Sequence, residues 1–111
     1  IDVEFSLSEQ VLKSLLKASS IMQLPDLSVV GNGNTVEVIV SDRKNDTSNV
    51  YNLTVGKTEH TFSFNFKIEN IKTLIGGYTV QISKKNLAKF YSSSYKLTYF
   101  IALEPDSKFD E

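Results

Sequence analysis

Leu12-Lys13-Ser14-Leu15-Leu16 decides the fold, because the chain uses this pattern twice: the five residues that begin fifty-nine positions later read Ile71-Lys72-Thr73-Leu74-Ile75. Residue class is kept throughout, as aliphatic, lysine, hydroxyl, aliphatic, aliphatic. The match runs backwards without a gap and sets Phe5-Ser6-Leu7 over Phe64-Asn65-Phe66. Each half therefore carries a strand-like segment followed by a helix-like one. An offset of about half the chain marks one unit used twice. The lysine holds its place in both copies.

Around the first copy, Val3, Phe5 and Leu7 alternate with Glu4 and Ser6, the period of a half-buried strand. Ser8 is a favourable N-cap, and Glu9 puts negative charge in the first helical turn. To about Ser20 the spacing is helical, with Val11, Leu12, Leu15, Leu16 and Ser19 on one face. Lys13 and Lys17 project from another face, near Gln10 and Ser14. Pro25 limits how far this helix runs. Three strands are expected next, over 27–31, 35–41 and 49–55, with Asn32-Gly33-Asn34 as a tight turn between the first two. The linker 56–60 joins the halves.

The second half repeats the order. Phe62, Phe64 and Phe66 give a strand with one aromatic face, 67–75 a short helix, and Gly76-Gly77 its end. Strands are expected over 78–83, 87–92 and 96–103, followed by an acidic tail over 104–111. The order is β-α-β-β-β, twice, in one domain spanning 1–111, with repeats at about 3–55 and 62–103. The expected class is α+β, with two helices packed on one side of a curved antiparallel sheet.

Composition narrows function mainly by exclusion. Twelve Lys and Arg against thirteen Asp and Glu leave a net charge of −1, so bulk charge points to no nucleic acid or membrane. There is no cysteine, which removes disulfides and cysteine-ligated zinc. No apolar run approaches the ~20 residues that span a bilayer, and no membrane partner is expected. The chain opens Ile1-Asp2-Val3 without Met and reads as a piece of a longer protein.

Catalytic signals are weak. His60, the single histidine, lies in a polar linker. A catalytic or metal role would need Asp or Cys at working distance, and the adjoining Glu59 would point the other way on a strand, so His60 reads as a surface residue. No carboxylate pair can be placed in one cleft, and no serine sits in a nucleophile elbow. No enzyme activity, cofactor or metal is expected. The aromatic residues Phe62, Phe64, Phe66, Phe90, Tyr91, Tyr95, Tyr99 and Phe100 admit two readings: a base-stacking platform, or the core side of strands. The second accounts for their alternation.

The lysines remain. On a single helix they would be a solvated face. In a duplicated unit, Lys13 and Lys72 fall on the same side of the same sheet, Lys17 extends the patch, and Lys67 at the start of the second helix can join it. Such a surface can follow a phosphate backbone without reading bases.

The repeated β-α-β-β-β unit with basic helices resembles a sliding-clamp domain, and more specifically the C-terminal domain of T-even-type bacteriophage sliding clamps. The resemblance is carried by Leu15-Leu16-Lys17, Phe62-Ser63-Phe64, Ile71-Lys72 through Gly76-Gly77-Tyr78, and Ala102-Leu103-Glu104-Pro105-Asp106-Ser107. It implies the processivity fold and a ring subunit around duplex DNA that tethers the replicative DNA polymerase, with a clamp loader as further partner. It also implies action in the cytoplasm of the infected bacterial host. Lys13, Lys17, Lys72 and Lys67 would face DNA. Ile101, Ala102, Leu103 and Pro105 would help to form a pocket for partner tails. The family's subunit carries two such domains and closes as a homotrimer, so this chain is expected to be the C-terminal half of a subunit, with strand edges left open. The competing reading is a non-enzymatic module that holds a small apolar ligand inside the curved sheet, in a cavity lined by Phe62, Phe64, Phe66 and Tyr99.

Overall fold

Among the described residues the chain forms nine strands, most of them over alternating apolar residues, and one long amphipathic segment forms a helix. A computed structural model of the chain describes residues 3–42, 50–71, 76–83, 87–92, 96–104 and 107–110. The elements are β1 (Val3–Leu7), α1 (Glu9–Met22), β2 (Asp26–Asn32), β3 (Thr35–Ser41), β4 (Tyr51–Lys57), β5 (Thr61–Lys67), α2 (Ile68–Ile71), β6 (Tyr78–Ser83), β7 (Leu87–Ser92), β8 (Leu97–Ala102) and β9 (Lys108–Asp110). The duplicated β-α-β-β-β order is present, and β9 is an addition within the acidic tail.

The expected antiparallel sheet is present as two. One has four strands in the order β1-β6-β7-β8, the other five in the order β4-β3-β2-β5-β9. The repeated units do not lie side by side. They exchange first strands: β1 pairs with β6 of the second unit, and β5 pairs with β2 of the first. The registers are equivalent, since Phe5 faces Val80 as Phe64 faces Val29, and Ser6 faces Thr79 as Asn65 faces Ser28. Side-chain alternation supplies the reason, because each first strand has an apolar face that the other unit's sheet can continue.

Both sheets and both helices contribute to one core. Leu12 and Leu15 of α1 are buried with Val36, Val38 and Val40 of β3, and Ile71 of α2 joins the same cluster. Aromatic rings fill the centre. Phe62 and Phe64 stack at 4.8 Å, Phe66 meets Phe90 edge-on at 6.0 Å, and Tyr78 meets Phe90 at 6.3 Å and Tyr99 at 6.2 Å. Gly31 lies directly under the Phe62 ring, where an added Cβ would come within 2.3 Å of Cε2. The Gly31–Phe62 pair is thus a close approach that only glycine permits.

Local chemistry fixes the element ends. Ser8 Oγ accepts from the Val11 N–H at 3.2 Å and caps α1, as its sequence position suggested. The helix runs a little beyond Ser20 and stops at Gln23, which takes a left-handed conformation (φ 55°). Ser19 is buried near that end, and its hydroxyl donates to the Leu24 carbonyl at 2.7 Å. In the β2–β3 turn, Asn32 Oδ1 accepts from the N–H groups of Asn34 and Thr35, at 2.9 and 2.8 Å, with Gly33 at φ 85°.

Candidate nucleic-acid interface and partner surface

The apolar side of α1 fixes where its lysines stand. Leu12, Leu15 and Ser19 are buried, so residues on the opposite face point to solvent. Lys13 and Lys17 are both exposed and border one shallow depression with Gln10 and Ser14, the grouping their spacing predicts. Lys13 Nζ lies 3.1 Å from Glu9 Oε1, one turn back. Pairs of this exposed kind contribute little and are screened by salt, so the ammonium stays available to an anion.

Lys67 has a different setting. Its Nζ lies 3.1 Å from Asp26 Oδ1, and the Asp26 side chain is 1% exposed against 31% for the lysine. Asp26 and Lys67 are also register partners across β2 and β5. Lys67 is therefore engaged with a buried carboxylate at the base of α2, whereas Lys13 and Lys17 border an open depression on α1. Beside it, the Ile68 N–H donates to the Pro25 carbonyl at 2.9 Å. Lys72 lies outside the described residues. The described part of α2 adds the exposed Glu69 and Asn70.

The four residues expected to meet partner tails also separate. Leu103 is 6% exposed and belongs to the core, Ile101 is half-buried and packs against it, and Ala102 is exposed. Pro105 lies outside the described residues. The exposed apolar side chains nearby are Leu97, Tyr99 and Phe100 of β8, at 47%, 37% and 65%. The sequence reading placed these aromatics among core strands. β8 ends its sheet, however, and that edge position decides their exposure. Tyr91 is likewise exposed, whereas Phe62, Phe64, Phe66 and Phe90 are buried and fit the core reading. Tyr95 lies outside the described residues.

Phe62, Phe64 and Phe66 are at most 3% exposed and touch one another or Phe90. The space that an internal ligand cavity would use is taken by the rings themselves. His60 is exposed, and its carbonyl accepts from the Gly33 N–H at 3.0 Å. Among the described residues, no cluster of three or more His, Asp or Glu could hold a metal ion, and no helix is long and apolar enough to cross a membrane.

Two β-α-β-β-β units that exchange first strands into two antiparallel sheets, with helices over a shared core, define the α+β clamp-domain class. The chain belongs to the family described as gp45 sliding clamp, C terminal, which matches residues 4–105. The family is one of bacteriophage DNA-replication processivity factors, and membership gives the chain a clamp role in general, with DNA, polymerase and ring formation as the family's partners. None of the curated proteins matches the chain.

Proposed function

We propose that this domain is the C-terminal half of a clamp subunit, three of which close around duplex DNA and tether the replicative polymerase without catalysing a reaction. A clamp loader opens and places the ring in the host cytoplasm. Lys13 and Lys17 face the phosphates, and Lys72 joins them by its place in the repeat. Ile101, Ala102, Leu103 and Pro105 contribute to the surface that receives partner tails. For Leu103 that contribution is support from beneath, since it is buried.

The observation that carries the reading is the solvent face of α1, where Lys13 and Lys17 stand exposed opposite the buried Leu12 and Leu15. A net charge of −1 is compatible with it, because acids such as Glu4 and Glu37 lie on strands, while Glu9 on α1 makes only an exposed pair with Lys13. Phosphate contacts of this kind position the duplex without selecting sequence.

The test is Lys13→Glu with Lys17→Glu in the full-length subunit. The fold should survive, because neither side chain enters the core. Processive synthesis on primed template should shorten, and the loss should grow with salt as the remaining phosphate attraction is screened. Unchanged product length at all salt concentrations would remove these lysines from the mechanism.

A further inference from the structure

The depression that Lys13 and Lys17 border is not uniformly basic. Its rim is Ser8, Glu9, Gln10, Lys13, Ser14 and Lys17, one acid to two lysines. Glu9 and Lys13 stand one turn apart and meet at 3.1 Å, with side chains 56% and 74% exposed. Lys17, one turn further along, has no ion-pair partner among the described residues. The two lysines of this face are therefore unequal. One meets solvent alone, and the other already has an anion on it.

Helix chemistry accounts for part of this arrangement. Glu9 is the first residue of α1, where a carboxylate offsets the positive end of the helix dipole. Any acid in the first turn would serve that purpose. Position 9 also lies on the flank of Lys13, because residues four apart are neighbours on a helix surface, and an acid N-terminal to a lysine is the favourable order. Glu9 thus serves the helix end and sits within the lysine face at once.

We propose that Glu9 is a positioning residue for the DNA face: it holds Lys13 between phosphate contacts and competes with each phosphate for the same ammonium, so that α1 grips the duplex only briefly. The proposal rests on the reading of α1 as the surface that faces phosphates. An exposed pair is weak enough to open, and the ammonium can turn any of its three donors to a phosphate oxygen. Opening leaves the Glu9 carboxylate beside a second anion, which weakens the new contact relative to one made by Lys17. It also cancels the usual entropic gain. A lysine that meets DNA releases a counterion from the duplex, but a carboxylate that loses its lysine takes a cation up. A ring keeps its DNA by closure, so contacts that break readily do not loosen its hold and leave it free to travel.

The test is a titration of the 111-residue chain with a short blunt DNA duplex at several salt concentrations, with backbone amide shifts followed by NMR. It compares the unaltered chain with Glu9→Gln, Lys13→Gln, Lys17→Gln and Glu9→Gln combined with Lys13→Gln. Glutamine keeps the length and helix propensity of glutamate. Glu9→Gln should bind about two- to five-fold more tightly at low salt. Its log affinity should fall more steeply with log salt, by up to about 0.9 in slope, which a merely structural role would not produce. Its thermal midpoint should not rise, since the helix dipole loses a partner, so tighter binding will not come from a firmer fold. With Lys13→Gln already in place, the gain should shrink to less than about half. Unchanged affinity and slope in Glu9→Gln, while Lys17→Gln still weakens binding, overturns the proposal and leaves the DNA reading standing. An equal gain with and without Lys13 also overturns it, because Glu9 would then be a general repelling charge. No binding up to about 1 mM duplex, or binding that neither Lys13→Gln nor Lys17→Gln weakens, removes the DNA reading of α1 and this proposal with it.

Discussion

At the scale of single residues, the two lysine environments separate structure from surface. Lys13 and Lys17 touch solvent, whereas Lys67 lies against a carboxylate that is 1% exposed. Removing one member of a buried pair leaves the other in a medium that solvates it poorly, and that loss exceeds what the pair itself contributes. Lys67 is itself 31% exposed, which tempers the effect. Lys67→Met should therefore lower stability by about 1–3 kcal/mol, towards the weaker end of buried-pair losses. Lys17→Met should change it by less than about 0.5 kcal/mol, the usual range for surface positions. Urea unfolding of both variants checks the contrast. Equal stabilities would mean that Asp26 does not rely on the ammonium. The signal for this pair was absent from the sequence. Asp26 and Lys67 lie far apart in the chain and meet only because β2 and β5 run in register. Spacing within one helix could group Lys67 with Lys72, but it could not find Asp26.

At the scale of elements, strands and turns were legible where a two-residue period or an Asn-Gly signal spoke for itself. β1, β3, β6 and β7 follow their expected ranges, and the Asn32 side chain organises its turn as expected. β9 was not legible. Its three residues, Lys108, Phe109 and Asp110, show no apolar alternation, and they read as part of a charged tail. What makes a strand of them is the waiting edge of β5, a property of the partner and not of the segment. The tail therefore carries weight that its composition conceals. Deleting residues 104–111 removes the two hydrogen bonds to the Asn65 backbone together with the β9 ladder. At about 0.5–1.5 kcal/mol for each hydrogen bond, the two Asn65 bonds alone should cost about 1–3 kcal/mol, the β9 ladder adds to that loss, and exchange of the Asn65 amide should accelerate. Native-state hydrogen exchange measures both. An Asn65 amide that stays equally protected would show that the tail is dispensable to the edge.

At the scale of the whole molecule, the repeat does not produce two independent modules. Each sheet takes three strands from one unit and the first strand of the other, with β9 added to the five-stranded sheet, so neither half can bury its own core. Phe64 and Phe66 of the second half pack where Val29 and Leu27 of the first half present their faces, and Phe5 of the first half is paired to Val80 of the second. A chain cut between Glu59 and His60 should accordingly give two peptides, 1–59 and 60–111, that each lack cooperative unfolding. Mixed in equal amounts, they should recover the far-ultraviolet signal and a single melting transition, at a midpoint that rises with concentration because folding has become association. Either peptide melting cooperatively by itself would show that strand exchange is incidental to stability. The outcome bears on the clamp role as well. A ring segment has to hold its curvature while DNA passes and partners pull on one face. Two units that shared only a surface could hinge against each other, because weakly packed interfaces permit relative motion by default. Exchanged strands remove that freedom. Any bending between the units would have to break the β1–β6 or β2–β5 ladder, so the domain can serve the ring as one rigid arc.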